Sequence, residues 1–178
     1  MAFEREYSEL AAVADAAGPE APTWTLTTAA DRSLLFRIDL EAPFEATVSV
    51  GDQWRLWTLR LVLGDGDERF VRVGFGGDYA GVLRNIGLAL LEVGEELRDA
   101  GSDGDYEFTA AALNWALSVD EKPVVAAAAE TLGRLLIAGG DDDEGVQLLE
   151  EYAVPALLAI GQDRRAAELR RLTTPPAR

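Results

Sequence analysis

The 178 residues amount to 19.2 kDa, a size for one domain, residues 1–178, that can bury roughly 70% of its unfolded surface. Thirty-two acids against 16 bases give a formal net charge of -16, which opposes contact with nucleic acid phosphates and with anionic lipid. Cysteine and histidine are absent, which excludes disulfides, thiolate nucleophiles, zinc sites built on thiolate or imidazole, and histidine acid–base catalysis.

Of the 16 bases only Lys122 is a lysine. Abundant Asp and Glu with so little Lys suits a salt-adapted cytoplasm, and a GC-rich genome would give the same arginine bias. Glu4, Glu6 and Glu9 do not read as a signal peptide, and Glu130 and Arg134 interrupt the most apolar helix, so a cytoplasmic protein is expected.

Residues 2 to 17 read as an amphipathic helix with Phe3, Tyr7, Leu10 and Ala14 at helical spacing, stopped by Gly18 and Pro19. Five strand candidates follow between Trp24 and Phe75, and alternation assigns each an apolar face. Trp24, Leu26 and Thr28 are expected opposite Ile38, Phe36 and Leu34, and Leu40, Ile38, Phe36 and Leu34 opposite Phe44, Ala46, Val48 and Val50. A two-residue turn at Gly51-Asp52 would then set Ala46 against Trp57, Phe44 against Leu59 and Glu45 against Thr58. In the last hairpin, Gly64 to Glu68 as the loop would pair Leu61 with Val71, Leu59 with Val73, Trp57 with Phe75, Val62 with Phe70, and Arg60 with Arg72. Like charges directly opposite destabilise a sheet, so the arginine pair calls for an acid, and Glu45 is diagonal to Arg60.

Beyond the sheet, the helix from Tyr79 to Asp99 buries Val82, Leu83, Ile86, Leu90, Val93 and Leu97, with Asp78 as its cap and Gly101 as its stop. Further helices are expected from Tyr106 to Val119, from an Asp120 cap to Gly139-Gly140, from Asp141 with a kink near Pro155, and from Arg164 to Leu172. Leu132-Gly133, Leu136, Gly140-Asp141 and Glu144 resemble the helix-turn-helix spacing of a single tetratricopeptide repeat. The likeness covers one helix pair, and no repeat array is assigned. The expected architecture is α+β: a five-stranded antiparallel meander and an N-terminal helix in residues 1–78, and an all-helical layer in 79–178.

Candidate chemistry is sparse. Gly74-Phe75-Gly76-Gly77-Asp78 has the placement of a phosphate-binding loop, but it lacks the third glycine and the Gly-Lys-Ser or Gly-Lys-Thr continuation, and Asp78 would repel phosphate. The acidic turns Asp65-Gly66-Asp67-Glu68 and Asp103-Gly104-Asp105-Tyr106-Glu107 lack EF-hand spacing, and Asp141 to Glu144 suit the positive end of a helix dipole. Arg164, Arg165, Arg170 and Arg171 likewise suit a helix C-terminus. The constellation that invites a function is Arg60 and Arg72 with Trp54, Phe70, Glu45 and Thr58, because arginine and aromatic side chains dominate interface hot spots. No catalytic residue, metal ligand or cofactor is implied. The expected role is a non-enzymatic interaction, adaptor or regulatory protein with a protein partner, self-associating as a homodimer through the mixed sheet face or an edge strand. Two rivals stand beside it: an acidic nucleic-acid mimic that inhibits a basic partner, and a small-ligand protein or carboxylate-dependent enzyme with a pocket between sheet and helices.

Overall fold

The computed structural model describes residues 2–16, 22–29, 33–51, 54–63, 68–102 and 104–173. It has the expected α+β architecture. Helix α1 (Ala2–Ala14) precedes five strands, β1 (Trp24–Thr28), β2 (Leu34–Ile38), β3 (Phe44–Val50), β4 (Leu56–Leu63) and β5 (Glu68–Phe75). The strands form one antiparallel meander in the order β1-β2-β3-β4-β5. Helices α2 (Tyr79–Asp99), α3 (Asp105–Ser118), α4 (Lys122–Gly139), α5 (Asp142–Leu148), α6 (Val154–Ala159) and α7 (Asp163–Thr173) follow, with a π-helical turn at Leu149–Ala153 between α5 and α6.

Alternation sets the inner face of the first four strands. Trp24, Leu34, Phe36, Ile38, Ala46, Val48, Val50, Trp57, Leu59 and Leu61 are all buried, and β1–β2 and β2–β3 take the registers the apolar pattern demands. Helix α2 lays Val82, Leu83, Ile86, Leu90, Val93 and Leu97 on the core, and α3 brings Trp115 and Phe108. The Trp115 ring stacks at 5.3 Å from Trp24 and 5.1 Å from Phe36, and its Nε1 donates to the Leu83 carbonyl at 2.8 Å. The Phe36–Trp115 contact is edge-to-face at 78°, an arrangement that adds about 0.5–1.5 kcal/mol beyond area burial.

Most of the expected helix boundaries hold within two residues. Asp78 caps α2 by accepting from the Gly81 amide at 2.7 Å, and Gly101 and Gly140 end α2 and α4 at φ 69° and 98°, a conformation glycine enters without steric cost. Helix α1 ends at Ala14, short of the expected residue 17, and Gly18-Pro19 lie outside the described residues. Asp120 is not a cap: it takes φ 57°, and Glu121 occupies the cap position of α4. Pro155 follows the π turn, which takes up the irregularity expected near it. The α4–α5 hairpin closes backbone on backbone, since a Cβ at Gly145 would lie 2.6 Å from the Gly133 carbonyl oxygen.

Two registers differ from the sequence reading. Strand β3 pairs with β4 as Phe44↔Leu63, Ala46↔Leu61, Val48↔Leu59 and Val50↔Trp57, four residues from the tight-turn alignment. A shift of four preserves the faces, so alternation could not distinguish the two. What decides is Trp54, which is drawn into the β3–β4 connection and is 3% exposed. It donates from Nε1 to Glu6 Oε2 at 2.6 Å and meets Tyr79 edge-on at 4.7 Å. It holds φ at 57°, a strain of about 1–3 kcal/mol that burial of a large aromatic side chain offsets.

The second difference reverses faces. Strand β4 pairs with β5 as Leu56↔Phe75, Trp57↔Gly74, Thr58↔Val73, Leu59↔Arg72, Arg60↔Val71 and Leu61↔Phe70, with a bulge between Leu61 and Val62. One residue of slip sends Val71, Val73 and Phe75 to the outer face and Arg72 to the inner one. The cause lies on the helix side. Gly74 sits beneath the Trp57 indole, where a Cβ would come within 2.4 Å of the ring. Arg72 meets Glu96 on the exposed flank of α2, so the inner side of this edge strand faces a polar helix flank.

Candidate interaction face

The outer face of the sheet can be laid out in rows from the pairings. One row runs Thr27, Leu35, Ser49, Thr58, Val73, and the next runs Thr25, Arg37, Thr47, Arg60, Val71. Leu56 and Phe75 flank the first row, and Glu45 and Val62 flank the second. The β4–β5 corner is apolar and open to solvent: Leu56, Val71 and Val73 are exposed, and Phe75 is 82% exposed. Helix α1 does not cover this face. It lies against β1 and the Trp54 loop, with Leu10 buried in the core.

The expected constellation is only partly assembled. Arg60, Glu45 and Thr58 share the outer face, and Glu45, now opposite Val62 rather than Thr58, remains diagonal to Arg60. Arg72 is not opposite Arg60: it is paired with Leu59 and turned inward to Glu96. Trp54 is not on the sheet face but buried beneath α1. Position 70 is paired with Leu61 rather than Val62, and the Phe70 side chain lies outside the described residues. The arginine companion of Arg60 on this face is Arg37, two strands away across Thr47 and therefore at about 10 Å. Arg37 reaches this face because β2 alternates, with Leu34, Phe36 and Ile38 buried and Leu35 and Arg37 exposed.

Other features are accounted for by the fold. Gly76 is held by close packing, since a Cβ there would strike Val82 at 1.9 Å, and Asp78 is engaged in its cap. Glu130, 8% exposed, is bridged by Arg134 at 3.1 Å and Arg165 at 2.9 Å, which ties α4 to α7. The cleft of about 640 Å³ beside it is lined by Arg134, Arg164 and Arg165 together with Glu130, Asp163 and Glu168, so its charges balance. A second cleft of about 620 Å³ lies between α1, α3 and the π turn, lined by Val13, Asn114, Leu117 and Tyr152 among others. Neither contains Arg60, Arg72 or Glu45.

Two phenols have raised pKa values. Tyr79 is pushed up to about 12, chiefly by burial and then by the nearby Glu9 and Glu6 carboxylates. Tyr106 is raised by burial, then by Glu144, Glu107 and Asp141. Both hold their protons at neutral pH, so neither serves there as a base. Among the described residues, no three acidic side chains converge as a metal site requires. The acidic turn at residues 64–67 and Asp103 lie outside that description. No helix among the described residues is long and apolar enough to cross a membrane. No family model, curated protein or solved structure matches this chain.

Proposed function

We propose that this chain is a protein-interaction module, an adaptor or regulator that works in the cytoplasm by binding rather than by catalysis, and that its docking surface is the outer face of the sheet. The observation that carries this reading is the solvent-facing apolar corner Leu56, Val71, Val73 and Phe75, bordered by Arg60. An apolar group of this kind on one face of a sheet, rimmed by hydroxyls and arginine, has the composition of an interaction site. Strand β5 is also a free edge of the sheet, which suits β-strand pairing with a partner. Arg60 and Glu45 lie on the face away from the helices and Arg72 on the face toward them, so their placement lends the rival pocket no support.

Co-purification of the tagged chain from its native host, quantified by mass spectrometry, tests the reading. A Leu56→Ser/Phe75→Ser variant with unchanged far-ultraviolet circular dichroism is expected to lose a specific companion that the wild type retains. Equal recovery of every companion by both forms refutes it.

A further inference from the structure

Resting on that reading of the outer face, we propose that its occupant is a second copy of this chain, stacked face to face about a two-fold axis that runs across the strands. Charge argues for it first. The chain carries 32 acids, yet among the described side chains of the outer face the acids are only Glu45 and, just past the end of β2, Asp39, matched by Arg37 and Arg60. Two bodies of net charge -16 can meet there without bringing carboxylates together, whereas a contact through the acidic helix starts would oppose like charges.

The rows then select the orientation. Two-fold axes lying between two fully overlapped sheets run either along the strands or across them. An axis along the strands, centred on β3, would set β2 over β4 of the second copy and bring Arg37 onto Arg60. An axis across the strands keeps each strand over its own copy and exchanges the rows. Val71 then meets Val73 of the second copy, Leu56 meets Val62, Ser49 meets Thr47, and Arg60 meets the hydroxyl of Thr58 while keeping its own Glu45 diagonal. Each contact is made twice, as an isologous interface requires, and among the described side chains no like charges face one another. Five strands at about 4.8 Å spacing give on the order of 500 Å² per copy, about 1,000 Å² for the pair, at the lower limit for a specific interface. The dimer is therefore weak and sensitive to salt.

Sedimentation velocity from micromolar to millimolar protein, at low and at near-molar salt, tests the proposal. Wild type is expected to dimerise, with affinity rising about tenfold or more as salt screens the repulsion between the bodies. Thr58→Glu, which sets a carboxylate against Arg60 of the second copy, is expected to tighten the dimer several-fold although it adds negative charge. Thr58→Arg is expected to weaken it about tenfold although it lowers the net charge. The chain has no cysteine, so a Val73→Cys variant offers a unique thiol. Stacked sheets lie about 10 Å apart, so a short bis-maleimide should join two copies of that variant. Circular dichroism confirms that each variant folds.

A monomer under all conditions overturns the proposal. So does the reverse order of the two Thr58 variants, which net charge alone would dictate. Dimerisation without the Val73→Cys cross-link overturns the axis. If wild type is monomeric but the Leu56→Ser/Phe75→Ser variant still loses a companion, the docking face stands and the second copy falls. If neither effect is seen, both fall.

Discussion

The slip between β4 and β5 makes opposite demands on two adjacent residues, Gly74 and Phe75. A Cβ at Gly74 would lie 2.4 Å from Cε2 and Cζ2 of Trp57, against about 3.5–4.0 Å for a relaxed carbon contact, so the indole must retreat by about 1 Å or more. Trp57 is 6% exposed and packed in the core, and its retreat displaces neighbours. Overpacking of this kind costs about 1–3 kcal/mol. For a chain this long, each kcal/mol lowers Tm by about 2–4 °C. Phe75 is 82% exposed, so Phe75→Ala should change stability by no more than about 0.5 kcal/mol. With Phe75 opposite Trp57 instead, the effects would exchange. Phe75→Ala would cost about 3–5 kcal/mol, and Gly74→Ala, pointing outward, would stabilise by about 0.4–1 kcal/mol. Urea unfolding followed by circular dichroism, at protein concentrations low enough to keep the chain monomeric, distinguishes the two. A strongly destabilised Phe75→Ala beside a neutral or stabilised Gly74→Ala would refute the register and the open apolar corner with it.

Three further outcomes are expected. Asp78→Ala removes the side-chain cap of α2 and should cost about 0.5–2 kcal/mol in urea unfolding; no measurable change would show that the cap contributes nothing. Arg134→Ala/Arg165→Ala leaves the Glu130 carboxylate buried without its two guanidinium partners. It should therefore destabilise more than Glu130→Gln, which removes the charge itself, and equal losses would contradict this. Of the four tyrosines, Tyr79 should resist ionisation until about pH 12 in a spectrophotometric titration. Because its folded pKa is raised, the unfolded chain releases this proton first. The stabilisation is complete below about pH 10 and is lost as pH rises toward 12. Four phenols titrating together near the ordinary value would refute it.

Hydrophobic period carried most of this fold. Alternation in β1 to β4 fixed which side chains face the helices, and the 3.6-residue spacing of Val82, Leu83, Ile86, Leu90, Val93 and Leu97 fixed the buried side of α2. Glycine and aspartate marked the ends of α2 because their preferences act within a single turn. Of the candidate site, Arg60, Glu45 and Thr58 were legible on one face.

Tertiary structure decided the rest. A period of two is blind to an offset of four, so only the burial of Trp54 against Glu6 and Tyr79 could place the β3–β4 pairing. Alternation in Val71, Val73 and Phe75 said that one side of β5 is apolar, but not which side. That depended on the room Gly74 leaves for the Trp57 ring and on Glu96 waiting across from Arg72. A strand at the edge of a sheet takes its orientation from what lies above it, and the sequence of the strand does not contain that neighbour.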